Sequence, residues 1–372
     1  MKLKIKDKKK LLQICTGILI IALIVAIILP DTLNAIFGNH ISDEINTVTT
    51  DVISEYDVDF INGKFAIYNS QGLKKYNKDA EFEEEYYLSA YAPIMHKSGK
   101  YIALADTSST EITVLKGNSV CYEVKVPQNV KRVSVNKRGY TTVLSGETGY
   151  KSVVMVFDNT GTEKYRWYSD ESYAIDAKLS DNSKLLAVAS VKMDGNKLNT
   201  IIEQYKIKEE NVLSSVMIEN LVPYSITFNG SKVVLLGDKK AYTVSKGGKI
   251  KGEYDYKGRT LECFDLDNND NIALGLSENM GISEVVVLNK NLKEKGTNSC
   301  EFRVAMLDEN NGKVAVAGEG NVKVLKSNGK ALAEGEFSKD GSYIVLSDNW
   351  RSFAIYNANS ISMFNIKRGR KN

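Results

Sequence analysis

NGKFAIYN at residues 62–69 and WRSFAIYN at residues 350–357 carry the same five letters, FAIYN, near opposite ends of a 372-residue chain. Each copy is a turn followed by a short apolar run, the pattern of a buried β-strand. Six further units of the same kind lie between them: SGKYIALAD (98–106), KRGYTTVLS (137–145), DNSKLLAVAS (181–190), NGSKVVLLGD (229–238), NNDNIALGLS (268–277) and NNGKVAVAG (310–318). The first apolar residues of these strands are Phe65, Tyr101, Tyr140, Leu185, Val233, Ile272, Val314 and Phe353, spaced 36 to 48 residues apart. A period of about 40 residues holds four short strands, which is the mark of a β-propeller blade. Eight markers predict an all-β chain with eight blades of four strands. A seven-bladed ring with one miscounted unit, or an open stack, is the alternative.

Turn chemistry supports the count. After the second strand, a third commonly runs into a glycine-bearing turn and then a fourth, as in VMVFDNTGTEKYRW (154–167), YTVSKGGKIKGEY (242–254) and VKVLKSNGKALAEGEF (322–337). Glycine there supplies the positive φ that a tight hairpin needs. Pro93, Pro127 and Pro223 fall between one blade's last strand and the next blade's first, where a missing N–H breaks no ladder. The last unit has only three evident strands, ending near Lys367. NTVTTDVIS (46–54) is the candidate for the fourth, because joining the chain's two ends would remove two exposed sheet edges.

Upstream of the repeats the chain has a different character. Residues 11–29 pass without a charge, and at about 1.5 Å per helical residue they match a hydrocarbon core of roughly 30 Å. Six lysines against one aspartate precede this run, whereas residues 30–63 contain no lysine or arginine. By the positive-inside rule the N-terminus is then cytoplasmic and the rest is translocated. The run is too long for a signal-peptide core and lacks a small-residue cleavage site, and Cys15 stands too early in it for a lipoprotein. The expected organisation is a basic cytoplasmic tail (1–10), an uncleaved signal anchor crossing the membrane (11–30), a juxtamembrane linker (31–45), an extracytoplasmic propeller (46–367) and a basic tail (368–372). A buried core helix is the competing reading of 11–30.

The net charge of +3 belongs to the anchor, since residues 1–10 alone carry +5. The remainder of the chain is near neutral and lacks the basic stripe that nucleic acid requires. The three cysteines beyond the apolar run, Cys121, Cys263 and Cys300, read as core residues, with a Cys263–Cys300 bridge as the alternative.

Catalytic raw material is scarce. The only histidines are His40, in the juxtamembrane segment, and His96, read as a turn residue, so a histidine metal site or triad has little to build on. No G-x-S-x-G, P-loop or C-x-x-C pattern occurs. Asp265, Asp267, Asn269 and Asn271 place oxygens at alternate positions as a calcium loop does, but Asp270 stands where glycine belongs and Leu276 where glutamate belongs. Loops after the second strands, carrying Asp106, Glu147, Asp194, Lys239, Glu278 and Glu319, should converge on one face, as a binding surface or simply as solvated charges. Paired loop carboxylates would suit a polysaccharide hydrolase or lyase. The C-terminal Lys367, Arg368, Arg370 and Lys371 could touch anionic lipid or wall polymer.

LSDNSKLLAVAS resembles the turn-strand units of WD40-like and YVTN-like propellers, although no Trp-Asp dipeptide closes any blade. EYDVDFINGKFAIYNSQGLKKYNK (55–78), APIMHKSGKYIALAD (92–106), VMVFDNTGTEKYRW (154–167) and DAKLSDNSKLLAVASVKMDG (176–195) resemble an uncharacterised family of Gram-positive membrane proteins with an N-terminal anchor and a propeller ectodomain. That resemblance implies a fold and a location, not an activity. The expectation is therefore a non-catalytic, membrane-tethered module, without cofactor, that binds a protein or cell-envelope polymer and no nucleic acid. The hydrolase or lyase is the alternative.

Overall fold

The computed structural model describes Thr16 and residues 39–42, 44, 46–49, 55–209, 211–266, 271–278, 282–338, 341–357 and 359–368. Residues 1–10 and the apolar run 11–30, Thr16 excepted, lie outside this set, as do 31–38 and 369–372. Among the described residues no helix is long and apolar enough to cross a membrane.

Each recurring unit forms the second strand of an antiparallel meander, except that Tyr140 falls one residue before its strand. There are eight such sheets among the described residues, here blades 1 to 8 in chain order from Tyr56. The eight-bladed count therefore holds. Their first strands are Tyr56–Ile61, Pro93–Ser98, Arg132–Val135, Tyr173–Leu179, Pro223–Asn229, Thr260–Asp265, Met306–Asn310 and Tyr343–Leu346. Neighbouring first strands pack on one another at seven of the eight junctions, including blade 8 on blade 1, and between blades 5 and 6 Tyr224 stacks on Phe264, so these strands line a central axis.

The core is partitioned to match. Side chains of a strand alternate between the two faces of its sheet, so each blade offers one apolar face to each neighbour. Eight buried clusters result, one at each interface. The repeated FAIYN shows the rule. Phe65 and Ile67 of blade 1 point back at Ala354 and Tyr356 of blade 8. Ala66 and Tyr68 point forward to blade 2, and Phe353 and Ile355 point back to blade 7. The two copies occupy the same slot in adjacent blades.

Closure uses both ends of the chain. Blade 8 has three strands of its own, Tyr343–Leu346, Ser352–Tyr356 and Ser360–Arg368. Asn46–Thr49 supplies the fourth, with Thr47 opposite Ser362. The closing strand begins earlier than expected, because Asn39–Ile41, inside the stretch 31–45 read as linker, also pairs with Ser360–Arg368. His40 is thus a sheet residue. Ile41 is buried between blades 7 and 8, in space left by Gly335, where an added Cβ would stand 2.9 Å from Cβ of Ile41.

Local chemistry follows the sequence closely. Gly161 and Gly329 end third-to-fourth strand turns at φ of 81° and 80°, a conformation costly for other residues. Pro93 and Pro223 open first strands. Cys121, Cys263 and Cys300 are free thiols. Cys263 and Cys300 lie in the core between blades 6 and 7, where burial pushes them up to about 12 and about 11, respectively, so both remain unreactive thiols at neutral pH.

Candidate functional site

A four-stranded meander places its first-to-second and third-to-fourth turns at one end, and its second-to-third turn and the link to the next blade at the other. The ring therefore has two faces of different origin. On the first, Lys100, Lys116, Arg138, Lys249, Lys293 and Lys330 are exposed; this is the lysine-rich face. On the second, Tyr87 and Tyr91 are 81% and 76% exposed, and Tyr150, Tyr168 and Tyr173 are exposed beside them. This is the tyrosine-rich face.

All six predicted loop residues lie on the tyrosine-rich face, as their place after the second strands requires. The structure does not gather them into one constellation. Asp106 accepts N–H groups from Tyr91 at 2.7 Å and Ala92 at 3.1 Å, and the Ser108 hydroxyl at 2.6 Å. Burial opposes its charge, but these bonds outweigh it and hold the carboxyl below its ordinary value. Asp106 thus pins its own turn to the link that enters blade 2. Glu147 accepts Arg166 at 3.1 Å, and Lys239 donates to the Asn220 carbonyl at 3.3 Å. The Glu278 N–H reaches the Ile282 carbonyl at 3.3 Å. The Glu319 carbonyl accepts Asn321 at 3.2 Å, and Asp194 sits opposite Lys197 at an exposed hairpin tip. These contacts tie each residue to its own turn, to a neighbouring strand or to the link into the next blade.

The calcium string is described only in part. Asp267 and Asn269 lie outside the described residues. Asp265 accepts the Glu309 N–H at 2.8 Å, while Asn271 accepts Lys295 at 2.7 Å and donates to Glu309 at 2.9 Å. Among the described residues no group of three metal-binding side chains occurs.

The axis is lined by residues to which sequence reasoning gave no axial role. Asp57 of blade 1 accepts the Met95 N–H of blade 2 at 2.7 Å. Asp176 of blade 4 accepts the Ile226 N–H at 3.0 Å and the Ser225 hydroxyl at 2.8 Å from blade 5. Asp265 ties blade 6 to blade 7 through the Glu309 N–H, and Asp308 of blade 7 accepts the Leu346 N–H of blade 8 at 2.6 Å. His96 does the same between blades 2 and 3: its Nδ1 accepts the Val135 N–H at 3.1 Å, and Nε2 lies 2.9 Å from Lys178 Nζ. It therefore sits in an inner strand and not in a turn. An inner strand has no ladder partner on its axial edge, so a side-chain acceptor from the neighbouring blade satisfies an N–H that would otherwise lack one.

Three acids of the first strands are raised above the ordinary carboxylate range. Burial pushes Asp57 up to about 6. Asp308 is raised well above the ordinary carboxylate range, first by burial and then by the charge of Asp265. Burial also raises Asp59, which holds Lys97 at 2.8 Å.

The two mouths of the axis differ accordingly. A cavity of about 660 Å³ opens on the lysine-rich face, lined by His96, Lys97, Asn136, Lys178, Asn310 and Asp348 among others. At the tyrosine-rich face a cavity of about 530 Å³ is lined by Tyr224, Phe264, Leu261, Met306 and Tyr343. There Tyr224 and Phe264 lie parallel with centroids 6.3 Å apart, and Tyr56 meets Tyr343 edge-on at 5.4 Å. The first mouth is lined mainly by polar and charged side chains, and the second mainly by aromatic and aliphatic ones, with Arg132 and Glu262 also lining it.

The family model described as "Family of unknown function (DUF5711)" matches residues 40–366, nearly the whole ring. The chain belongs to this family. Its boundary at residue 40 coincides with the closing strand, so the DUF5711 unit is the ring itself. Among curated proteins, no sequence matches. Solved structures share the fold with the DUF5711 ring at low identity. A computationally designed protein, Ika8, is 13% identical with a TM-score of 0.64, covering 87% of this chain and 99% of its own. BamB from Moraxella catarrhalis is 9% identical with a TM-score of 0.55, again covering 87% and 99%. The Cps50 (Swd1) β-propeller domain of Myceliophteria thermophila is 10% identical with a TM-score of 0.51, covering 88% and 100%. At such identities the likeness shows the fold alone.

Proposed function

We propose that this DUF5711 protein is a single-pass, membrane-tethered propeller whose ring lies outside the cell and works as a non-catalytic binding platform for a protein partner. The observation that carries the binding reading is the aromatic mouth at Tyr56, Tyr224, Phe264 and Tyr343, within a face that also exposes Tyr87, Tyr91 and Tyr173. Tyrosine offers large contact area with few rotatable bonds and is enriched at the centres of protein interfaces. The axial acids support the same reading, because they are committed to N–H groups of neighbouring blades and so hold the ring together.

The tether rests on the uncharged run 11–29 and the lysines before it. Protease protection on vesicles of known sidedness tests it: the ring should be digested only from the outer face, and digestion from the cytoplasmic face would contradict it. For the binding reading, crosslinking in intact cells should capture a defined protein that Tyr224→Ala with Tyr343→Ala loses and Lys100→Glu retains. A capture profile unchanged by the mouth variants would remove the proposal.

A further inference from the structure

The chain joins the ring at one definite place. Asn39 pairs opposite Arg368 and His40 opposite Lys367, so the two ends of the ring lie side by side at the lysine-rich end of blade 8. Lys367 and Arg368 are exposed there. Next to them Ile366 donates its N–H to the Arg351 carbonyl at 2.7 Å, which brings in the first turn of blade 8. The Arg351 guanidinium lies 4.1 Å from the ring centroid of Trp350, and Lys313 of blade 7 stands 5.9 Å from it. Trp350 is half-buried, with one side against the core between blades 7 and 8. Four cations and a tryptophan thus surround the point where the chain arrives from its apolar run.

Only residues 30–38 separate that run from Asn39, and at about 3.3–3.6 Å per residue they can span roughly 30 Å at most. With the run in a bilayer, this corner of the ring cannot stray far from the headgroups. Arginine and lysine attract anionic lipid phosphates, and tryptophan favours the level of the headgroups. We infer that this corner docks on anionic phospholipid headgroups of the membrane that holds the N-terminal run. The inference rests on the anchored reading of 11–30.

Residues 31–372 contain all eight interblade cores, so vesicle binding can be measured without the anchor. This soluble ring should sediment with vesicles rich in phosphatidylglycerol and not with phosphatidylcholine alone, and salt should weaken the binding. Lys313→Gln, Arg351→Gln, Lys367→Gln and Arg368→Gln should each weaken it about fivefold, with unchanged melting curves because these side chains are not in the core. Lys125→Gln and Lys257→Gln on the opposite face should have no effect. Equal binding to both vesicle types, no binding to either, or sensitivity confined to the opposite-face variants would overturn the inference. So would tight binding of soluble polyphosphate without vesicle binding, which would assign the corner to a free polymer. Failure of the anchor reads differently: protease protection of the full chain would then place the ring in the cytoplasm while vesicle binding persisted.

Discussion

Blades 1 to 7 are each one continuous meander, whereas blade 8 is assembled from residues at both ends of the chain. In the first seven, every strand pairs with its neighbour in sequence, and each sheet could form locally. In blade 8, Ser42 exchanges hydrogen bonds with Asn365: its N–H donates to the Asn365 carbonyl at 2.8 Å, and its hydroxyl accepts the Asn365 N–H at 3.1 Å. The difference teaches that the repeat supplies local stability, and one long-range pairing makes the ring a single cooperative body.

The largest effect should come from that pairing. Removing residues 39–49 should abolish the cooperative thermal transition, and Ile41→Asp, which buries a charge between blades 7 and 8, should cost more than about 4 kcal/mol. Denaturant melts read both. A mild loss would mean that blade 8 is as self-sufficient as the others.

Next in size are the two FAIYN phenylalanines. Phe65→Ala and Phe353→Ala each empty a fully buried slot and should cost about 3–5 kcal/mol. If blade 8 is an ordinary blade once closed, the two losses agree within about 1 kcal/mol. A much smaller loss at Phe353 would show a loosely packed closing blade.

Smaller is the loss of an axial tie. Asp176→Ala strips the acceptor from the Ile226 N–H and should cost about 1–3 kcal/mol, whereas Asp176→Asn keeps an acceptor and should cost less. Urea midpoints of the pair would coincide if the tie is incidental.

The pH response should be of comparable size. The folded-state pKa of Asp57 is raised to about 6, above its ordinary value of 3.8, so the folded ring binds the proton more tightly than the unfolded chain. Its contribution is fully present below about pH 4 and is lost as pH rises through about 6. Asp57→Asn should therefore stabilise by about 3 kcal/mol at pH 7.5 and by little at pH 4. A constant difference across that range would contradict the burial argument.

Most of the fold was legible because its causes are local. Alternating apolar strands, glycine turns and prolines at blade junctions are written within single 40-residue units, and even the closing strand announced itself as NTVTTDVIS. Asn39–Ile41 did not, since three residues carry no period and Ile41 finds its place only against Gly335 of another blade. The loop residues were assigned to the correct face, yet their partners, such as Arg166 for Glu147, could not be read from spacing. Three of the axial acids were missed for a similar reason, and the fourth, Asp265, was read only as a calcium candidate. Asp57, Asp176, Asp265 and Asp308 each sit in a first strand, a recurrence that could have been noticed, but the N–H groups they satisfy belong to the next blade. The aromatic mouth draws on blades 1, 5, 6 and 8, which only closure brings together.

The most direct test of closure is a disulfide across it. Thr47 and Ser362 are Cα partners in the antiparallel pair that joins the chain's two ends, at a separation that such pairs hold within disulfide reach. With Thr47→Cys and Ser362→Cys in a Cys121→Ser background, mild oxidation should convert nearly all the folded protein to a faster-migrating, internally crosslinked monomer. A chain that stays uncrosslinked while folded, or that links only between molecules, would mean that the ring is not closed in this way.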